Sequence, residues 1–250
     1  MVVGRGWPRQ VNLIVPKTMS DSHSNGTASS STDRSPLFEP LVEHAIELAS
    51  EWHDGTYRKS RWRDPAFELV QEGPRVPVIS HLVSVATMVR RAGWPDPVIA
   101  AAYLHDILED PNLEGDRFGA DRLRRTIGDE VTRYVLDVSE VKLDEAGNHR
   151  PWRDRKVGYI DQIETGRPGA AGISLADKMH NLWSMNQSLD AGVNIFEKGP
   201  GRTAMSAGPE QQEWFYRSVL DATAVHDDKR LVPMREQLRG EIARFTSLAG

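Results

Sequence analysis

Apolar residues recur with the spacing of an α-helix in most of the chain after residue 36, and this pattern constrains the fold most. In the segment 37–54 they share one helical face, and Gly55 follows as a helix end. The sequence has no series of alternating apolar and polar residues typical of β-strands, and no internal repeat. Glycine and proline separate further predicted helices at 80–91, 96–109, 116–127, 129–139, 152–165, 171–187, 209–226 and 229–247. The pattern therefore predicts an all-α bundle of about nine to ten helices.

The first 36 residues differ in composition from the rest of the chain. The segment 20–36 is rich in Ser and Thr and has no apolar period. Such a segment cannot bury enough surface to offset the loss of chain entropy. We therefore predict a disordered tail at 1–36 and a single domain at 37–250. Met19 is a candidate translation start, which the intact mass of the native protein would test.

The composition excludes several classes of function. The chain has no Cys, so it cannot form a disulfide framework, a thiolate nucleophile, a cysteine zinc site or an iron–sulfur cluster. Its net charge of −5 argues against general binding to nucleic acid. No apolar run approaches the roughly 20 residues of a membrane span, and the N-terminus lacks the pattern of a signal peptide. We therefore expect a cytoplasmic protein that contacts neither DNA nor a membrane.

The segment Ala101–Asp110 places four ionisable residues at the end of an apolar helical run. They are His105, Asp106, Glu109 and Asp110. Because burial of unpaired charge is costly, these residues need either solvent or a counter-ion. Taken alone, the segment fits a helix end that turns to solvent. Partners elsewhere in the chain would instead make it half of a metal site.

Two other residues could complete such a site. His81 lies at the start of the second predicted helix, and Asp177 lies among apolar residues that would bury it. A buried carboxylate needs a partner, which could also be Lys178, His180 or a main-chain amide at a helix N-terminus. Two His and two Asp ligands suit Mn²⁺, Zn²⁺ or Fe²⁺ and leave positions open, as in metal-assisted hydrolysis of phosphate esters. Glu109 and Asp110 would then hold or deprotonate the attacking water.

Five segments, in the same order, resemble the HD-type hydrolase domain of the RelA/SpoT alarmone family, and above all its single-domain members, the small alarmone hydrolases. Trp52–Lys59 resembles the family's Ala-His-x-Gln-x-Arg-Lys, and Val78–His81 resembles Tyr-Ile-x-His-Pro. Ala101–Asp110 resembles Ala-Ala-Leu-Leu-His-Asp-x-x-Glu-Asp, and Leu175–Leu182 resembles Leu-Ala-Asp-Lys-x-x-Asn-Leu. Phe118–Val131 lies where the family has Phe-Gly-x-x-Val. The resemblance covers about 40–225 and implies an HD-domain (HD/PDEase-like) fold.

The resemblance also implies roles for individual residues. The metal, typically Mn²⁺, is expected on His81, His105, Asp106 and Asp177. Glu109 and Asp110 are expected to position or activate the attacking water. The expected nucleotide contacts are Arg58, Lys59, Lys156, Asn181 and Trp214. The implied reaction removes the 3′-pyrophosphate from ppGpp or pppGpp and leaves GDP or GTP.

Two clusters of basic residues agree with a substrate that carries several phosphates. One is Arg58–Arg63 and the other is Arg153–Lys156, and guanidinium groups suit both phosphate and base stacking. The alternative is that both clusters are solvated faces. His53 is assigned a structural role at a helix end, and His180 lies beside the site but not at a ligand position.

Departures from the family pattern leave the nucleotide open. Lys59 and His81 are 22 positions apart (81 − 59), about twice the usual spacing, so 61–71 is interpreted as an insert beside the substrate entrance. One alternative is the same chemistry on ppApp, on the 2′-phosphate of NADPH, or on the product of a toxic small alarmone synthetase, which would make the protein an antitoxin. Two others are a non-catalytic nucleotide sensor and an all-α interaction module without a metal. The sequence leaves a homo-oligomer open.

Overall fold

The computed structural model describes residues 37–62, 75–199 and 203–249, without side-chain detail for 59–62 and 75. The predicted tail at 1–36, most of the predicted insert at 61–71 and the side chain of Lys59 therefore lie outside the described residues.

The described residues form nine α-helices and one pair of short strands. In chain order the elements are α1 (Pro40–Trp52), β1 (Tyr57–Trp62), β2 (Arg75–Pro77), α2 (Val78–Arg91), α3 (Asp96–Leu104), α4 (Ala120–Ile127), α5 (Asp129–Val138), α6 (Trp152–Thr165), α7 (Pro168–Asp190), α8 (Pro209–Ala222), a 3₁₀ turn (Thr223–Val225) and α9 (Leu231–Ala249). The predicted all-α bundle is confirmed. Among the described helices, none is long and apolar enough to cross a bilayer.

The strand pair is the element that periodicity does not predict. β1 pairs antiparallel with β2, with Tyr57 opposite Pro77. β1 reads Tyr-Arg-Lys-Ser-Arg-Trp, so it lacks the alternation of apolar and polar residues by which a half-buried strand is recognised. Its pairing with β2 and its packing against α7 are tertiary contacts, which a local pattern does not report.

The third helix ends earlier than the sequence predicts. α3 stops at Leu104, five residues before the predicted end, and 105–109 forms turns. The main-chain N–H of Asp110 donates to the carbonyl of Asp106 at 2.9 Å, which closes the last of these turns. Pro111 cannot continue a helix and disfavours the helical conformation of the residue before it. The acidic segment is therefore a compact turn and not the last turn of a helix.

α7 is the central helix of the bundle. It packs against α9, α2, α5 and β1, and every residue from Gly169 to Asp177 is buried. A helix that is buried on all sides needs apolar or small residues around its whole circumference. Gly172 meets this need directly, because a Cβ there would lie 2.7 Å from Cε2 of Trp94.

Three elements meet where the ionisable residues lie. α2 packs against both α3 and α7, so the first turn of α2, the turn after α3 and the middle of α7 come together. This meeting point is buried, and His81 is only 1% exposed. The polar side chains there must therefore satisfy one another or hold a ligand.

Candidate metal centre and cavity

The four predicted metal ligands lie together. His81 comes from α2, His105 and Asp106 from the turn after α3, and Asp177 from α7. The Nε2 atom of His81 is 3.2 Å from Nε2 of His105 and 3.1 Å from Oδ1 of Asp177. Asp106 places Oδ1 3.4 Å from Nε2 of His105 and Oδ2 3.8 Å from Nε2 of His81. The structure therefore brings all four predicted ligands to one point.

Three of these four distances, 3.1–3.4 Å, fit a divalent ion. Ligand atoms about 2.1 Å from an ion, at tetrahedral or octahedral angles, lie about 3.0–3.4 Å apart. The imidazole of His105 uses its Nδ1 in a 2.8 Å hydrogen bond with the carbonyl of Ala102, which leaves Nε2 for the centre. A second hydrogen bond of this kind is common behind metal-binding imidazoles, because it fixes the tautomer.

His180 orients the other imidazole. Its Nδ1 lies 2.8 Å from Nδ1 of His81, so His81 also has its second ring nitrogen engaged. This agrees with the sequence analysis, which places His180 beside the site but not at a ligand position. The Nε2 atoms of His81 and His105 both face the two carboxylates.

Burial and charge set the protonation of the cluster. Burial, followed by the positive charge of Arg58, holds the pKa of His81 well below its ordinary value. Burial also acts to lower the pKa of His105, but the carboxylates of Asp106 and Asp177 outweigh it and raise that pKa to about 9. Burial opposes ionisation of Asp177 too, yet the adjacent Lys178 and the two imidazoles hold its pKa well below the usual range. A metal ion would thus displace a proton from His105.

The predicted water-handling pair, Glu109 and Asp110, is held by a lysine. Nζ of Lys142 lies 3.1 Å from Oε2 of Glu109 and 3.3 Å from Oδ1 of Asp110. The main-chain N–H of Glu140 donates to Oε1 of Glu109 at 2.8 Å. The indole N–H of Trp52 donates to the carbonyl of Asp110 at 3.1 Å. Both carboxylates are therefore fixed beside the predicted metal ligands by a partner from a distant segment.

Lys142 is a site residue that sequence reasoning missed. It lies between two predicted helices, in 140–151, outside the five segments that carry the resemblance. Burial raises the pKa of Glu109, and the positive charge of Lys142 opposes that rise. The signal available in the sequence was a single lysine in a loop, which does not distinguish a site residue from a solvated one.

Two predicted nucleotide contacts touch each other and the metal cluster. The guanidinium of Arg58, on β1, donates to Oδ1 of Asn181 on α7. The amide of Asn181 in turn donates to Oδ1 of Asp177. The third expected contact of this group, Lys59, follows Arg58 on β1, and its side chain is not described.

Two of the three residues of the second basic cluster are ion-paired. Arg155 and Lys156 donate to the two carboxylate oxygens of Glu140, whose side chain is 7% exposed. Lys156 lies 4.6 Å from the ring centre of Phe215. Arg153 instead covers the ring of Trp214, at 3.2 Å from its centre. All three residues lie on α6, where Arg155 and Lys156 are half-buried and ion-paired and Arg153 packs on the neighbouring helix α8.

The structure places Phe215 and Tyr216 in the cavity wall, but not the predicted contact Trp214. The residues of α8 that line the cavity beside the metal cluster are Gln212, Phe215 and Tyr216, and Trp214 is not among them. Successive helical residues point about 100° apart, so a shift of one residue changes the face of α8. Sequence reasoning identified the aromatic run but not which member faces the cavity.

The metal cluster opens into a cavity of about 530 Å³. Its wall carries five cationic side chains and five carboxylates. The cations are Arg58, Lys142, Arg155, Lys156 and Lys178, and the carboxylates are Asp106, Glu109, Asp110, Glu140 and Asp177. A volume of this size suits a small-molecule ligand.

His53 has the structural place expected of it. It follows α1 as its C-cap and is buried. Its carbonyl accepts the N–H of Thr56 at 3.1 Å and the hydroxyl of Thr56 at 2.8 Å. These bonds connect the end of α1 to the start of β1, the strand that carries Arg58.

Comparison with known proteins agrees with this geometry. Residues 61–197 match the family described as "HD domain". The chain is 31% identical over 147 residues to a GTP pyrophosphokinase of Streptomyces coelicolor, covering 58% of this chain and 14% of that protein. It is also 31% identical over 146 residues to the mouse (Mus musculus) guanosine-3′,5′-bis(diphosphate) 3′-pyrophosphohydrolase MESH1, covering 58% of this chain and 71% of that protein. The resemblance stated from the sequence is confirmed. The chain spans only about a seventh of the Streptomyces relative.

Two solved structures share the fold. The crystal structure of lmo0812 from Listeria monocytogenes has a TM-score of 0.55 and 26% identity, over 68% of this chain and 97% of that one. A metazoan ortholog of SpoT that hydrolyzes ppGpp has a TM-score of 0.58 and 21% identity, over 86% of this chain and 99% of that one. An HD hydrolase domain implies a divalent metal, and the cluster of His81, His105 and Asp106, with ligand atoms within 4.8 Å of one another, is compatible with one.

Proposed function

This chain belongs to the HD domain family, and we propose that it is a metal-dependent hydrolase that removes the 3′-pyrophosphate from ppGpp or pppGpp. We further propose that the phosphohydrolase domain spans 37–250. The observation that carries the proposal is the four-ligand cluster at the wall of a cavity with five cationic side chains. The chain is 31% identical to MESH1 over 71% of that protein, and this similarity supports ppGpp as the substrate.

The four ligands would hold Mn²⁺, with Zn²⁺ and Fe²⁺ as alternatives, since two imidazoles and two carboxylates suit these ions. A bound divalent ion lowers the pKa of water and polarises a phosphoryl oxygen. The remaining chemistry belongs to side chains of this protein. Loss of pyrophosphate from the ribose replaces the P–O3′ bond by a P–O bond from water, so one group takes a proton from water and the 3′ oxygen gains one.

Glu109 and Asp110 are the proposed acceptors of the proton from water. Burial raises the pKa of Glu109, which makes its carboxylate a stronger base than an exposed one. Lys142 contacts both carboxylates and holds them in one orientation. We expect Glu109 to be the general base and Asp110 to help to position the water.

The charge of the cavity wall suits a substrate with several phosphates. The five cations and five carboxylates balance, so a bound divalent ion would leave the wall with a net positive charge. Arg58, Lys142 and Lys156 are the proposed phosphate or nucleotide contacts, with Asn181 holding Arg58 in place. Lys59 stays a prediction, and Phe215 replaces Trp214 as the proposed aromatic contact on α8.

The direct test is release of pyrophosphate from labelled ppGpp by the Mn²⁺-loaded protein, compared with Asp106→Ala. We expect turnover by the wild type, loss of turnover in Asp106→Ala, and unchanged turnover in Asp221→Ala, an exposed carboxylate on α8. Metal content measured by mass spectrometry should fall in His105→Ala. Equal metal content in His105→Ala and wild type would overturn the site. No release from any nucleotide by the metal-loaded wild type would support the non-catalytic sensor.

The same chemistry on another nucleotide is the second candidate, and the 22-position spacing between Lys59 and His81 favours it. A panel of ppGpp, pppGpp, ppApp and NADPH would separate the two candidates. We expect the highest kcat/KM with a guanosine 3′-pyrophosphate. NADPH has a 2′-phosphate and no 3′-pyrophosphate. The highest kcat/KM with NADPH would overturn the proposal that ppGpp or pppGpp is the substrate.

A further inference from the structure

α8 carries a glutamine on its buried face. Gln212, Phe215, Tyr216 and Val219 are the buried residues of successive turns of this helix, at the spacing i, i+3, i+4 and i+7 of an apolar stripe. The side chain at the first of these positions is an amide, and Gln212 is 4% exposed. A buried polar side chain at an apolar position needs a partner.

Within the described part of the chain, the amide of Gln212 has no hydrogen-bond partner. Its main-chain N–H donates to the carbonyl of Gly208 at 3.0 Å, as the helix requires. The side chain is nevertheless among the residues that line the cavity beside the metal cluster. No atom of this amide is fully buried without a partner, so its donor and acceptor are open to the cavity, where a ligand can take the place of water.

Part of the cavity wall comes from a segment without charged residues. The connection from α7 to α8 contributes Thr203, Ala204, Met205 and Ser206 to the lining. This segment is fixed to the core, because the N–H of Met205 donates to the carbonyl of the buried Ile195 at 3.0 Å. The charged lining residues come from other segments, namely β1, 105–110, 140–142, α6 and the middle of α7. The lining residues of α8 and of 203–206 are themselves uncharged, and Lys156 approaches them at Phe215, 4.6 Å from its ring centre.

We propose that Gln212 is a specificity residue that hydrogen-bonds the edge of the substrate's nucleobase. This inference rests on the proposed nucleotide hydrolase function. An amide has a donor and an acceptor side by side, which matches the adjacent donor and acceptor groups of a base edge. A phosphate offers acceptors only. Phe215 and Tyr216, on the same face of α8 and in the same wall, provide apolar surface for the base.

The test is the substitution Gln212→Met, which removes hydrogen bonding and retains length and volume. The matched control is Gln237→Met, an exposed glutamine on α9. Binding of GDP and of inorganic pyrophosphate to the Mn²⁺-loaded full chain is measured by calorimetry, together with KM and kcat for ppGpp. We expect Gln212→Met to weaken GDP binding about tenfold and to raise KM about tenfold. Pyrophosphate binding and kcat should be unchanged.

Three results would overturn the proposal. An equal loss of affinity for GDP and pyrophosphate would make Gln212 a phosphate contact. Unchanged GDP affinity, with or without a lower melting temperature, would make the amide a purely structural group. Absence of measurable GDP binding to the wild type would show that the proposed nucleobase subsite does not exist. Because binding does not require turnover, wild type that binds GDP but releases no pyrophosphate would overturn the hydrolase function alone.

Discussion

The ammonium group of Lys142 lies 3.1 Å from Oε2 of Glu109, a residue 33 positions earlier in the chain. This contact connects the loop after α5 to the turn after α3, which carries two of the predicted metal ligands. A further hydrogen bond from Lys142 to the main-chain carbonyl of Glu109, at 3.3 Å, holds the backbone of the same turn. One side chain thus fixes both the conformation of the acidic turn and the charge of its carboxylate.

Replacement of Lys142 should shift the pH dependence of catalysis. Lys142 lowers the pKa of Glu109 against the effect of burial, so Lys142→Met should raise that pKa. A general base acts when deprotonated, so the acidic limb of kcat/KM against pH should move to higher pH. We expect kcat/KM at neutral pH to fall by about tenfold to a hundredfold. The control is Lys229→Met, an exposed lysine before α9. An acidic limb that stays in place would show that Glu109 is not the base.

Replacement of Glu140 should destabilise the fold in a pH-dependent way. Burial acts to raise the pKa of Glu140, but Lys156 and Arg155 outweigh it and lower the pKa below its ordinary value of 4.5. A carboxylate with a lowered folded pKa stabilises the fold above its unfolded pKa, and this contribution is lost as the pH falls through the folded value. Glu140→Gln should therefore cost about 1–3 kcal/mol of unfolding free energy at pH 7.

Urea unfolding at pH 7 and at pH 3.5 or below would test this prediction, with the mutant and the wild type converging at the lower pH. Glu145→Gln is the matched control, because Glu145 is exposed in the same loop. A difference between Glu140→Gln and wild type that is the same at both pH values would contradict an electrostatic origin.

Replacement of Gly172 should show how tightly α7 is packed. A Cβ at this position would lie 2.7 Å from Cε2 of Trp94, and the ring of Trp94 is itself buried below the guanidinium of Arg230. Gly172→Ala should therefore lower the unfolding free energy by about 1–3 kcal/mol. Gly240→Ala, on α9 with nothing within 4 Å of the added Cβ, should instead raise it by about 0.5–1 kcal/mol. Thermal unfolding of the two variants tests this prediction. Equal changes in unfolding free energy would contradict the packing argument.

Local sequence patterns predicted most of the helices and the four His and Asp residues that cluster. Apolar spacing reports which face of a segment is buried, so the extents of α2, α5 and α6 agree with the predicted ranges within two residues. The metal site was predicted from the ligand types and their order, because imidazole and carboxylate groups among apolar residues need a common partner. The early end of α3 and the strand pair were not predictable in this way.

Tertiary structure decided the contacts between residues far apart in the chain. The contact of Lys142 with Glu109, the pairing of Arg155 and Lys156 with Glu140, and the exposure of the Gln212 amide to the cavity depend on how helices pack. A charge in a loop has the same local pattern whether its partner is water or a buried carboxylate. The sequence by itself therefore determined the helical class and which His and Asp residues come together, and the packing of the helices determined which charges and which amide face the cavity.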